Sequence, residues 1–336
     1  MMKILTTASV AALTLAFATE AMAVEWNVSL WGTRRAFTEH VEKLAELVAE
    51  RSGGEFTLSI NYGGLSNERE NLDGISIGAF EMAQFCAGYH NDKNRAITVL
   101  ELPFLGVQNL EQEVAVARAV YAHPAVAAEM AQWNARMLMT SPMPQYNLVG
   151  TGEPRVTVDS MNGMRVRATG GIGDVFASVG AVPTSVTSSE AYNAMESGVV
   201  DSVAFAQHAH LSFRTIDIAD WWTENLNPGT VNCPVVVNID AYDALSDEHR
   251  AILDAAVDDS IAYYLENYGK LLEGWEATLT EKGVAKVTVD AAEIAKLAAN
   301  AQPIHDAWIA EATANGLPGQ ELYDLTVQSV AANAPK

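Results

Sequence analysis

The chain has 336 residues, 49% of them hydrophobic, which is ample for a packed core in one large or two medium domains and excludes a disordered chain. Its 42 acidic residues outnumber 20 basic ones, and the formal net charge of −22 sets nucleic acid and anionic lipid aside as partners. The same field opposes any anionic ligand, so such a ligand needs a specific buried cation, best an arginine in an otherwise apolar pocket.

Lys3, an apolar run from Ile4 to Phe17 and the triplet Ala21-Met22-Ala23 follow the order of a secretory signal peptide. Cleavage is expected after Ala23, and its loss leaves the charge balance unchanged, because Lys3 and Glu20 leave together. The run is shorter than the roughly 20 apolar residues of a membrane span. No later segment is apolar enough to span either, so no membrane insertion of the mature chain is expected. Export places Cys86 and Cys233 in an oxidising compartment, where one disulfide is possible. Both lie in strand-like runs, and they are read as two buried small apolar side chains rather than a bridge. Without a CxxC pair, no cysteine zinc site is expected.

Trp26 to Leu30 alternates as a strand, and Phe37 to Arg51 carries helical apolar spacing closed by Ser52-Gly53-Gly54. Phe56, Leu58 and Ile60 alternate again, Asn71 to Gly78 is predicted helical, and Phe80 to Phe85 is strand-like. Pro142 and Pro144 mark a break within Thr140 to Gly150. A second strand–helix run follows: a strand at Met164 to Ala168, a helix at Gly173 to Ser178 and an extended segment at Val182 to Val186. Thr187-Ser188-Ser189-Glu190 is a capping box that opens a helix running to Ser197. Val199 to Phe205 and Val231 to Ile239 are strands. Ser246 caps a long helix whose apolar stripe runs from Ile252 to Leu272 and whose pattern extends to Glu281. The rhythm predicts two α/β lobes in a clam-shell, braced by that helix, with a ligand cleft between them. The expected division is 1–23 signal peptide, 24–145 plus 231–272 as the first lobe, and 146–230 plus 273–336 as the second.

Aromatic residues gather near the expected strand ends: Trp31, Phe85, Tyr89, Phe104, Phe205, Trp221 and Trp222. Most belong to the core on general grounds; Trp31, directly after the first strand, and Tyr89, which follows the strand ending near Phe85, are favoured as cleft residues. Gln145, Tyr146 and Asn147 at the break can donate hydrogen bonds to a ligand or simply knit the hinge. His208-Ala209-His210 has metal-like spacing, since H-x-H on a strand puts both rings on one face. An exported metalloenzyme built on His208 and His210 is therefore the alternative of a different class, although two satisfied loop histidines explain the pair better. Glu190 and Glu196 are explained by helix capping and a solvated face. Gly170-Gly171-Ile172-Gly173 lacks the spacing of a dinucleotide or phosphate loop, and no nucleophile elbow or HExxH occurs. No cofactor is expected, and the chain is read as a binding protein and not an enzyme.

Several ordered segments resemble one family. Met161-Asn162-Gly163-Met164-Arg165-Val166-Arg167 is similar to the stretch of TRAP transporter substrate-binding proteins, of the DctP type, that carries the ligand-binding arginine. Gly180-Ala181-Val182-Pro183-Thr184 matches the family's G-A-x-P-T run, and Glu190 to Asp201 its E-x-Y-x-A-x-x-x-G-x-x-D pattern. Ile77 to Met82, Leu102-Pro103-Phe104 and the segment from Tyr242 through the long helix resemble the rest, so the resemblance covers nearly all of the mature chain. It implies a periplasmic-binding-protein-like clam-shell in the periplasm, a small organic carboxylate as ligand, and TRAP membrane subunits as partners. As a residue alone, Arg167 reads as a surface strand arginine; the resemblance makes it the carboxylate anchor. Where the family often has Asp-Gly-x-Glu-Asn-Pro, this chain has Asp201-Ser202-Val203-Ala204-Phe205-Ala206, so Phe205 stands at the position of a polar ligand contact. The expected ligand-binding set is Arg167, Phe205, Trp31, Tyr89, Asn147, Gln145 and Trp222. It points to an aromatic, benzoate-like acid. A betaine-like zwitterion held by cation–π attraction is the alternative, and so is a C4-dicarboxylate, which wants a second cation from Arg34 or Arg35. A binding subunit of an ABC importer or a sensor partner is a further alternative.

Overall fold

The computed structural model describes residues 23–335, so the expected signal segment up to Met22 lies outside the described residues. Two sheets organise the molecule. The first has the order β2-β1-β3-β10-β4, built from β1 (Val24–Leu30), β2 (Phe56–Tyr62), β3 (Met82–Gln84), β4 (Ala135–Met139) and β10 (Val235–Asn238). The second has the order β11-β9-β5-β8-β6-β7, built from β5 (Asn147–Gly150), β6 (Arg165–Arg167), β7 (Val182–Thr184), β8 (Ser202–Phe205), β9 (Trp221–Thr223) and β11 (Ala285–Val287). β1 runs parallel to β2 and β3, with Val28 opposite both Ile60 and Met82, while β10 returns antiparallel between β3 and β4. In the second sheet β6 is parallel to β7 and β8, and β5 is antiparallel to β8 and β9.

Strands buried on both faces carry continuous apolar side chains, as in Val235, Val236 and Val237. Helices cover them: Glu39–Arg51 presents Val41, Leu44 and Val48 to the first core, as its 3.6-residue spacing predicts. The chain passes between the sheets after β4 and before β10, and these crossings run side by side, with Tyr146 N donating to Gly229 O at 2.8 Å. Both sheets thus share a double-stranded hinge, the arrangement expected of a clam-shell.

The helix Asp247–Leu271 starts as expected: Ser246 Oγ accepts from His249 N at 3.1 Å. It packs along Glu39–Arg51 of the first lobe, and near its end Tyr268 Oη lies 2.8 Å from His208 Nδ1 of the second, so it braces the two. Its expected continuation to Glu281 is corrected: Gly274 sits at φ 93°, a left-handed conformation natural to glycine, and a separate helix Trp275–Lys282 begins there. The helices Ala301–Ala314 and Gly319–Ala332 place Trp308 and Leu322 in a core shared with Leu72, Phe85 and Val236.

Three further expectations need amendment. Thr187 Oγ1 donates to Glu190 Oε2 at 2.7 Å instead of accepting from a helical amide, and the helix opens at Ala191; only the reach-back of Glu190 to Thr187 N, 2.9 Å, is as predicted. His208 and His210, expected as a loop pair, lie on the helix Gln207–Ser212. Cys86 and Cys233 form a disulfide. Their pairing follows from the β3–β10 ladder running on past its last assigned residues: Phe85 N donates to Pro234 O and Ala87 N to Asn232 O, so Cys86 and Cys233 face one another across the two strands.

Candidate functional site

Strands β1, β3, β6 and β8 all end toward the space between the lobes, where ligands of open α/β sheets bind. Trp31 directly follows β1, Tyr89 follows β3, Arg167 ends β6 and Phe205 ends β8. A narrow cavity of about 20 Å³ lies among these ends, lined by Trp31, Arg35, Phe37, Tyr89, Tyr146, Arg167, Thr169, Ser188, Phe213 and the Cys86–Cys233 bridge.

Arg167 is 2% exposed. Its Nε donates to Val186 O at 3.0 Å, its Nη2 to Tyr89 Oη at 2.7 Å, and its Cζ stands 4.5 Å from the centre of the Phe205 ring. The ring gives the guanidinium a cation–π partner. Among the described residues no carboxylate lies within 4 Å of the Arg167 guanidinium. Arg165, two residues earlier, is the surface arginine: exposed and paired with Asp201. The alternation that puts both on one face holds, but Arg165 sits at the outer end of the strand and Arg167 at the cleft.

Tyr89 joins the lobes. Its hydroxyl accepts from Arg167 and from Ser188 N (3.0 Å) and lies 2.9 Å from Ser188 Oγ. Trp31 packs edge-on against Tyr89 at 6.2 Å and parallel to Phe213 at 6.2 Å. Arg34 and Arg35 part ways. Arg34 is exposed and paired with Glu39 and Glu42. Arg35 is buried over Trp31, 4.2 Å from its ring centre, and burial pushes its guanidinium down to about 10, so it stays charged at neutral pH. Two loops close the rim: Arg69 Nη2 donates to Ser185 O at 2.7 Å, and Ser189 Oγ bonds Glu68.

The other expected residues lie apart from Arg167. Gln145, Asn147 and Trp222 line a second, wider cleft of about 420 Å³ beside the crossings, together with Glu111, Glu224 and Asn227. Across β5-β8-β6, Asn147 pairs with Phe205, and Arg167 lies on the far side of β8, so the Phe205 ring stands between them. The Asn147 amide is committed to the hinge: it donates to Asn227 Oδ1 at 2.8 Å and accepts from Leu226 N at 2.9 Å. Trp222 stacks edge-on on Trp275 at 5.3 Å. Of the remaining aromatics, Phe85 belongs to the first lobe's core and Trp221 to the second's. Sequence reasoning does not single out Phe213 or Ser188. Neither falls in a periodic run, and only their place beside Trp31 and Tyr89 marks them.

His208 and His210 do not converge. Two positions apart on a helix they point to nearly opposite sides. His208 Nδ1 faces Tyr268 Oη and its ring stacks on Phe37 at 5.4 Å; His210 Nδ1 faces Thr215 Oγ1 at 2.8 Å and Nε2 the Asn147 carbonyl. Burial pushes both down to about 3, which keeps them neutral. Among the described residues no group of three His, Cys, Asp or Glu side chains is placed to hold a metal, and no helix is long and apolar enough to cross a membrane.

Comparison with known proteins agrees with this architecture. The chain is 24% identical over 298 residues to the outer membrane transporter protein TsaT of Comamonas testosteroni, covering 87% of each. The fold matches a marine metagenome TRAP solute-binding protein specific for aromatic acid ligands, solved with metahydroxyphenylacetate, at a TM-score of 0.84 and 18% identity over 93% of this chain and 100% of that one. It also matches a TRAP periplasmic solute-binding protein from Roseobacter denitrificans, solved with beta-D-glucuronate, at a TM-score of 0.77 and 23% identity over 92% and 99% of the two chains. The model of the bacterial extracellular solute-binding proteins, family 7 (DctP), matches residues 28–312, and the chain belongs to that family, the substrate-binding proteins of TRAP transporters.

Proposed function

We propose that this protein is an exported receptor, released into the periplasm by cleavage after Ala23, that captures a small organic acid between its lobes and hands it to TRAP membrane subunits without bond chemistry. The carboxylate sits on Arg167 and a flat, apolar body sits among Trp31, Tyr89, Tyr146 and Phe213. The observation that carries this reading is the Arg167 guanidinium: buried, cradled on Phe205, and without a carboxylate partner among the described residues. A buried charge of this kind calls for a counter-ion, and a planar guanidinium suits a carboxylate through two parallel hydrogen bonds. An aromatic acid suits the walls, in keeping with the aromatic acid specificity of the marine relative. A betaine-like zwitterion suits them poorly, because Arg35 already lies over the faces of Trp31, Phe37 and Phe213 and would repel a second cation.

The segments moving together are proposed to be the two lobes at the boundaries 24–145 plus 231–272 and 146–230 plus 273–336. The packing of Trp308 and Leu322 argues for counting 301–332 with the first. Gln145, Asn147 and Trp222 then act on the hinge side of Phe205 and not on the carboxylate. The test is calorimetry of the mature protein with benzoate and its hydroxylated and dicarboxylate analogues. At least one acid binds, and Arg167→Ala weakens it more than a hundredfold while circular dichroism stays unchanged. Equal affinity in the variant overturns the assignment.

A further inference from the structure

We propose that Arg35 is a second ligand-holding cation, and that the ligand carries, besides the carboxylate on Arg167, a second oxygen acceptor at its far end, bound by Arg35 Nη2 and Trp31 Nε1. This rests on the carboxylate reading of Arg167 and adds the other half of the molecule.

Two donors of the cavity have no partner in the protein. Arg35 is 5% exposed and Trp31 3% exposed, and both line the cavity. Arg35 Nη1 is used: it donates to Trp31 O at 2.9 Å and Thr33 O at 2.6 Å, which fixes the guanidinium plane over the indole. Arg35 Nη2 and Trp31 Nε1 are buried and make no hydrogen bond. Leaving such groups unpaired costs the full desolvation of each, so a paired partner is expected when the site is occupied. No carboxylate lies within 4 Å of the Arg35 guanidinium among the described residues; Glu68, whose charge acts on it, is bonded to Ser189 across the cleft.

The two guanidiniums stand at two ends of one aromatic corridor. On one side Arg35 lies over Trp31, Trp31 against Tyr89, and Tyr89 on Arg167. On the other Arg35 faces Phe213, Phe213 faces Phe205, and Phe205 supports Arg167. A ligand spanning it meets a forked cation at each end and rings between. The matching chemistry is an aromatic or similarly flat acid with a hydroxyl, carbonyl or second carboxylate remote from the first. A benzoate-like monoacid satisfies Arg167 and leaves the Arg35 end unpaired. Sites that hydrogen-bond a ligand group reject analogues lacking it, because the buried donors are then orphaned.

The test compares benzoate with 3- and 4-hydroxybenzoate and with benzene-1,3- and benzene-1,4-dicarboxylate, by calorimetry on the mature protein. At least one bifunctional acid binds wild type more than tenfold tighter than benzoate. Arg35→Met weakens that acid at least tenfold more than it weakens benzoate, and Arg35→Lys, which keeps the charge but not the fork, falls between. Benzoate binding as tightly as all four bifunctional acids overturns the proposal without need of a variant, and so does an equal loss for all acids in Arg35→Met and Arg35→Lys. If every acid is lost in Arg167→Ala but none is preferred in wild type, only the Arg35 assignment falls. If no acid binds wild type, the carboxylate reading falls and takes this one with it.

Discussion

Arg167 Nη2 donates to Tyr89 Oη at 2.7 Å, a hydrogen bond from the last residue of a second-lobe strand to a residue of the first lobe. The same hydroxyl receives Ser188 N from the second lobe, so one phenol holds two groups across the cleft. Closure and ligand capture therefore share an atom: whatever fixes Tyr89 also fixes the plane in which Arg167 presents its remaining donors.

Tyr89→Phe keeps the ring against Trp31 and removes only that hydroxyl. A hydrogen bond to a charged group contributes about 1.5–3 kcal/mol, and this one is made without ligand, so the melting temperature of the ligand-free protein is expected to fall; the loosened Arg167 plane is expected to lower acid affinity as well, measured by calorimetry. An unaltered affinity would show that Arg167 is positioned by Val186 O, Ala204 O and Phe205 without Tyr89.

The Cys86–Cys233 bridge ties the end of β3 to the crossing that leads into β10 and closes a loop with a sequence separation of 147. By the chain-entropy argument a bridge of such reach stabilises by roughly 2–5 kcal/mol. The double variant Cys86→Ala/Cys233→Ala is expected to unfold at a clearly lower urea midpoint than wild type. Reductant should lower the wild-type midpoint toward that of the double variant and leave the variant where it is. Equal midpoints for oxidised wild type and the double variant would contradict a stabilising bridge.

How far the sequence reaches is visible at these residues. A period-two run locates β1 and a strand-like run locates β3, so Trp31 and Tyr89 are legible as residues beyond strand ends. Arg167 is not legible from pattern, because Arg165 shares its face; the family resemblance singles it out, and its position at the cleft end explains its burial. The histidine pair is read rightly as two satisfied side chains, but its element is not legible: the expected loop is the helix Gln207–Ser212, where the spacing turns the rings apart. Asn147 and Trp222 stand on β5 and β9, strands that the sequence pattern does not mark, and sequence carries no sheet order: the order β5-β8-β6 puts Phe205 between Asn147 and Arg167. The disulfide is illegible for the same reason: local runs mark two strands but not that they are neighbours.

Glu101 offers a pH-dependent test of the lobe contact. Its Oε1 accepts from Gly88 N at 3.2 Å and Asn232 N at 2.9 Å, while Oε2 is buried without a partner. Oε2 faces the start of the helix Gly170–Ala177, where Gly170 has φ 54° and a Cβ would come within 2.5 Å of it. Only glycine admits so close an approach of the second lobe. Burial raises this carboxyl to about 7 from its ordinary 4.5. A carboxyl raised in the folded state holds its proton there after the unfolded chain has lost its own, so its contribution is full below about pH 4.5 and is lost as pH rises to about 7. The buried histidines His40, His208 and His210, lowered to about 3, act in the opposite sense: stability rises with pH from about 3 until the unfolded imidazoles lose their protons near 6.5. The wild-type profile mixes the two, so the informative quantity is the difference from Glu101→Gln, in which the carboxyl no longer titrates and the acceptor for Gly88 and Asn232 is kept. Each tenfold change in a protonation equilibrium corresponds to about 1.4 kcal/mol. That variant is therefore expected to gain on wild type between pH 5 and pH 8 by an amount on the order of a few kcal/mol, measured as urea stability at each pH. A difference that stays constant across this window would mean that Glu101 titrates normally and that its burial against Gly170 imposes no charge penalty.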